Sequence, residues 1–231
     1  MERMIARGGG ALLCTAALAW AGRSASAQEQ TYAQKGIPAP TNALELKVGT
    51  EYTQGFGMIA PGQSIGDTAG PGFGVHVDAD YRAAPAWSLG LQGEYQEFAT
   101  ERDTAARGFV GNLGVTAHLA PYVRGDPWLR LATGYRFLWQ VDPPGAPTTL
   151  LHGFELAKAT IGYDIRVSRE VALAPQVGGD VNLFVWREQN GTNTALSTAQ
   201  WGTFVFAGLQ GRFDAGGTSA GGATIVARDA P

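Results

Sequence analysis

His76, Asp78 and Asp80 occupy alternate positions, and one histidine with two carboxylates is a metal-ligand set. On an extended chain such residues share one face, with successive Cβ atoms about 7 Å apart. That spacing is too wide for neighbours to close on one ion without ligands from another strand. Pairing with arginines is the chemistry expected of these acids instead, and Arg82 follows on the same face. The placement recurs along the chain, with Glu45, Lys47 and Glu51, then Glu94, Arg130, Arg136, Lys158, Asp164, Arg166, Asp180 and Arg212, and with Asn112, His118 and Asn182 as neutral members. Both signs are mixed along the whole length. A buried charge left alone costs several kcal/mol, so residues that share an interior face must pair. The expected role is a structural salt-bridge network, without a metal or a cofactor.

Acyl hydrolysis is a second candidate chemistry. It needs a serine, an activating histidine and an orienting carboxylate. His152 with Ser64 or Ser197 is the available combination, but Gly153 and Phe154 follow His152, so no His-x-Ser pair occurs. No residue is assigned a catalytic role. Asn190-Gly191-Thr192 matches a glycosylation sequon and reads better as a turn in a long loop.

The elements that position these residues are strands. Runs of about ten residues alternate apolar with polar or small, and each gives way to a turn. Leu44, Leu46, Val48 and Tyr52 form one stripe, and Phe73, Val75, Val77, Ala79 and Tyr81 form the next. The strands are read at 44–54, 72–82, 87–98, 108–120, 128–141, 153–167, 171–186 and 201–213. Connections after odd-numbered strands are long (55–71, 99–107, 142–152 and 187–200). Those after even-numbered strands are shorter and centre on Ala83-Ala84-Pro85-Ala86, Pro121–Pro127 and Ser168-Arg169-Glu170. Aromatic residues gather towards both ends: Tyr52, Phe73, Tyr95, Phe109, Trp139 and Trp201 at the long-loop end, and Tyr81, Trp87, Tyr122, Trp128 and Phe213 at the short-turn end. Amphipathic rings favour the headgroup levels of a bilayer. The fold class is therefore all-β, a closed eight-stranded antiparallel up-and-down transmembrane β-barrel with apolar residues outside and charged residues in its lumen.

Arg3 and Arg7 precede an apolar run from Ala11 to Ala21, and Ala25-Ser26-Ala27 supplies a cleavage site before Gln28. Residues 1–27 are thus read as a signal peptide, 28–43 as a periplasmic linker, 44–213 as the barrel and 214–231 as a disordered tail. The single cysteine, Cys14, lies in the leader behind Leu13, which is too large for a lipoprotein signal. Cleavage lowers the balance from 17 basic and 20 acidic residues to 14 and 19, through loss of Arg3, Arg7, Arg23 and Glu2. Such a chain has no attraction for nucleic acid. Its 33 glycines disfavour helix, and its 16 % of charged residues falls below the roughly 25 % of soluble domains.

The stretch from Trp201 to Phe213 resembles the closing strand of the small OmpA-like, eight-stranded outer-membrane barrels, and the resemblance extends over 44–213. In that family the last strand ends on an aromatic residue read by the barrel-assembly machinery, which assigns this role to Phe213. One departure is the tail that follows it. The resemblance implies an outer-membrane protein with both termini periplasmic, in contact with outer-membrane lipid and lipopolysaccharide. Its expected function is structural, or binding of partners or the environment through the outer loops. A narrow porin-like channel, with lumen glycines Gly74, Gly90, Gly114, Gly134 and Gly162 leaving room, is one alternative. A subunit of an envelope-spanning secretion, adhesion or motility complex is another.

Overall fold

A computed structural model describes residues 39–100, 105–141 and 148–219. The leader, most of the linker and the end of the tail lie outside these residues. Eight long strands follow one another: β1 (Ala43–Ala60), β2 (Gly72–Ala84), β3 (Trp87–Phe98), β4 (Ala105–His118), β5 (Gly125–Val141), β6 (Thr149–Arg166), β7 (Val171–Gln189) and β8 (Thr192–Ala215). Every sequential pair is antiparallel, and β8 returns to pair with β1 from Gly202↔Gly57 to Ala215↔Leu44. The sheet therefore closes into a ring, which satisfies the backbone groups that an open edge would leave bare.

Alternation decides the faces. Along β1, Glu45, Lys47, Glu51 and Thr53 are buried, while Leu44, Leu46, Val48 and Tyr52 are 41–62 % exposed. The same inversion runs around the ring: Val77, Leu91, Leu131, Ile161, Leu173 and Leu209 are all more than half exposed. Soluble monomers seldom expose an apolar patch beyond a few hundred Å². An unbroken girdle of this kind, enclosing buried charge, matches a hydrocarbon solvent outside and a polar interior.

The termini and outer connections differ from the sequence expectation. Asp214 and Ala215 belong to β8, and Thr218–Ser219 pairs with Pro40–Thr41 beneath the barrel. The described chain thus ends in a clasp, made possible by Gly216 and Gly217, both at positive φ. The expected long loop 187–200 is instead the tip of a hairpin. β7 runs on to Gln189, β8 starts at Thr192, and Asn190 (φ 53°) and Gly191 (φ 74°) form the turn. Two left-handed residues in succession suit a two-residue hairpin, whose twist matches that of the strands. β1 likewise extends to Ala60, turns back through Gln63–Ser64, and leads into a short helix, α1 (Ile65–Thr68), whose first turn is capped by the Ser64 hydroxyl at 3.1 Å from Gly66 N.

Two aromatic residues are also corrected. Trp128 is 5 % exposed and points into the lumen, as its even number on β5 requires, and Tyr122 is buried in the turn between β4 and β5. Because the ring has no edge, the folded protein is expected to migrate differently on a denaturing gel before and after boiling. Equal mobility would mean that the closure between β1 and β8 does not survive in detergent.

Candidate functional site: the barrel lumen

All eighteen residues expected on the interior face lie inside the ring: Glu45, Lys47, Glu51, His76, Asp78, Asp80, Arg82, Glu94, Arg130, Arg136, Lys158, Asp164, Arg166, Asp180 and Arg212 are each at most 3 % exposed, and Asn112, His118 and Asn182 at most 4 %. They form three tiers. The tier at the short-turn end is a chain of polar contacts and ion pairs that draws on β1, β2, β4, β5, β6 and β8. Arg82 binds Glu45 and donates to His118 Nε2 at 2.7 Å. His118 Nδ1 then faces Asp126 Oδ2 at 2.8 Å, and the other oxygen of Asp126 accepts the Ala120 N–H at 2.9 Å. Arg212 binds Asp164, which also accepts the Trp128 indole N–H at 3.0 Å, and Arg166 reaches Asp214 at 3.0 Å. Just above, Asp80 is shared by Lys47 and Arg130, both at 2.6 Å.

His118, Asp126 and Asp164 place ligand atoms within 4.8 Å of one another. Each is already engaged, and Arg82 and Arg212 stand beside them, so the surroundings repel a cation. The set does not fit a metal.

The middle tier is mostly neutral. His76 Nδ1 faces Asp78 Oδ1 at 3.0 Å, its Nε2 accepts from Gln176 at 2.9 Å, and Asn112 donates to Gln92 at 2.9 Å. Asp78 therefore pairs with a histidine rather than with an arginine. The third tier centres on Arg136. Its guanidinium donates to Asp180 at 2.7 Å, Gln96 at 2.7 Å and Asn182 at 2.9 Å, and lies 4.1 Å over the Phe204 ring. Lys158 binds Glu94 and sits over Phe206. Glu51 and Glu155 complete this tier, so four acids face two bases, and one Glu51 oxygen and both Glu155 oxygens accept no hydrogen bond among the described residues.

Sequence reasoning missed Glu155, Asp126 and Asp214. Strict alternation sends Glu155 outward. Bulges at Ala132/Gly134 and Glu155/Ala157 change the phase, so Leu156 and Ala157 both face out and Glu155 turns in. The sequence pattern places Asp126 in a turn and Asp214 in the tail, although both continue the interior face of their strands. Also unforeseen is an apolar stopper at the outer mouth. Phe98, Leu138, Leu151, Phe184 and Phe204 close on Ile59 from β1 and Ile65 from α1. Gln63 fastens this connection by donating to Gln140 at 3.0 Å.

Side chains fill the space beside several of the lumen glycines. Arg130 lies against Gly114, the Asn112 side chain against Gly134, the Trp128 indole against Gly162 and the His76 ring against Gly49. The hydrolytic combination does not assemble. His152 faces outward among Tyr135, Phe137 and Trp186 and bonds the Tyr135 hydroxyl at 2.6 Å, while Ser64 caps α1.

No family model matches the chain, and no curated protein matches it in sequence. Among solved structures it is similar to Neisserial surface protein A, with a TM-score of 0.50 and 14 % identity over 72 % of this chain and 95 % of that one. It is also similar to the outer membrane protein OprG from Pseudomonas aeruginosa, with a TM-score of 0.50 and 7 % identity over 78 % and 99 %. The fold is that of the small outer-membrane barrels. At these identities the likeness is one of architecture: closed strands, an apolar exterior and a polar interior. It is the architecture that the resemblance to OmpA-like barrels implied.

Proposed function

We propose that this chain is an integral outer-membrane barrel that does not conduct, serving as a structural element whose outer rim meets partners or the environment. The observation that carries this reading is the filled lumen. Three tiers of buried polar side chains and an apolar stopper occupy it from one mouth to the other. Both ends of the described chain lie at the short-turn mouth, which is taken as periplasmic, and the longer connections face outside. Phe213 would serve the assembly machinery from an internal position, two residues before the end of β8.

Purified barrel in planar bilayers is expected to give little steady conductance. A regular, ion-selective current that changes with Arg136→Ala or Asp78→Ala would overturn this reading in favour of a narrow pore. Hydrolysis of lipid A that disappears with His152→Ala would overturn it in favour of an enzyme. Membrane placement is tested separately, since recovery of the protein in the soluble periplasmic fraction would exclude it.

A further inference from the structure

The outward surface of β5, β6 and β7 changes character at its upper end. Trp139 stacks on Phe137 (5.7 Å between centroids, 19°), Phe137 on His152 (5.9 Å, 18°) and His152 on Trp186 (5.6 Å, 19°). This run of nearly parallel rings fixes the plane of the Trp139 indole from one side. Directly above it lies a pocket of about 350 Å³, lined by Trp139, Thr148, Leu150, Glu188, Asn190 and Gly191. Strand register explains its walls, because Trp139 lies opposite Leu150 and Leu150 opposite Glu188, while Asn190-Gly191 is the hairpin turn that overhangs them.

We propose that this pocket binds the neutral pyranose headgroup of a lipid-borne glycan. The proposal rests on the reading that this end of the barrel lies at the outer membrane surface. A pyranose has an apolar C–H face and a rim of hydroxyls. The indole, held by its stacking on Phe137, offers the matching flat surface at a reduced ordering cost on binding. The Glu188 carboxylate accepts from hydroxyls, and the Asn190 amide both donates and accepts. Glu188 also selects by repulsion, since a sulfated or phosphorylated sugar would bring its charge against a carboxylate, while the cation opposite Trp139, Arg107, is already engaged by Glu97 at 3.5 Å. The volume lies at the lower end of the range for small-ligand sites, about 300–1,000 Å³. Position favours a lipid-borne source. Below Trp139 the stack spreads sideways from Phe137 to His152 and Trp186, and Tyr135 and Phe154 lie one step lower on the apolar girdle, so a sugar seated on Trp139 has its aglycone directed over a surface suited to an alkyl chain.

The test uses the whole barrel folded in dodecylphosphocholine micelles, with its closed state verified by gel mobility. The barrel is titrated with dodecyl maltoside and with alkyl glycosides bearing galactose or N-acetylglucosamine headgroups, while the indole N–H resonance of Trp139 and the Gly191 amide are followed. A saturable shift confined to these signals is expected for at least one glycoside. It should weaken about tenfold in Trp139→Leu and in Asn190→Gly, the latter keeping the left-handed turn. No saturable shift with any of the three in a closed barrel would overturn the site, whereas failure to close would count against the membrane reading instead. An equally strong response to free maltose would overturn the lipid-borne source.

Discussion

Replacing Leu131 or Val205 by arginine is expected to cost about 2–4 kcal/mol of barrel stability and to lower the yield of folded protein in the membrane. Both side chains face outward from the middle part of their strands, 58 % and 43 % exposed. A guanidinium there must either enter hydrocarbon or drag water and headgroups towards it. Leu131→Met and Val205→Leu keep the surface apolar and should stay within about 0.5 kcal/mol of the parent. Urea titration in lipid vesicles, read by the mobility of the closed form, measures both. If arginine and methionine were tolerated alike at position 131, the apolar girdle would not be facing lipid.

Arg136→Ala is expected to destabilise the barrel by about 3–5 kcal/mol, because it strips the cation from a buried acidic tier. Gln96 Oε1, Asn182 Oδ1 and Asp180 Oδ2 each lose a donor, and Phe204 loses the charge above its ring. The pairing, rather than the arginine as such, is what the lumen requires. Removing Asp180 as well should therefore cost less than the two single changes added together, and a double-mutant cycle isolates the difference. Strict additivity would mean that Arg136 contributes through packing alone.

The faces of the strands were legible because the chemistry of each side chain repeats with a period of two. His76, Asp78, Asp80 and Arg82 could be assigned to one interior face without any neighbour being known. Their partners could not, because pairing across a lumen depends on the tilt and stagger of strands far apart in the chain. Asp78 was expected to meet arginine and meets His76. Glu155 was lost to a bulge, an irregularity of one residue that leaves no mark in composition. The stopper was invisible for another reason. Ile59 and Ile65 sit in a connection where apolar residues follow no period, and only the fold of β1 back on itself brings them to the mouth. The clasp below the barrel was hidden in the same way, since Thr218–Ser219 becomes a strand only opposite Pro40–Thr41.

The partners in the charge network are far apart along the chain. Lys158 and Glu94 are separated by 64 positions, Arg130 and Asp80 by 50, Arg212 and Asp164 by 48, and Gln176 and His76 by 100. A half-built sheet that entered the bilayer would carry these groups bare into hydrocarbon, each at a cost of several kcal/mol. Entry into the membrane and closure of β8 onto β1 must therefore be nearly simultaneous. The interior charges thus act on kinetics as well as on the finished state, making partial insertion the high-energy branch and committing the chain to an all-or-none route.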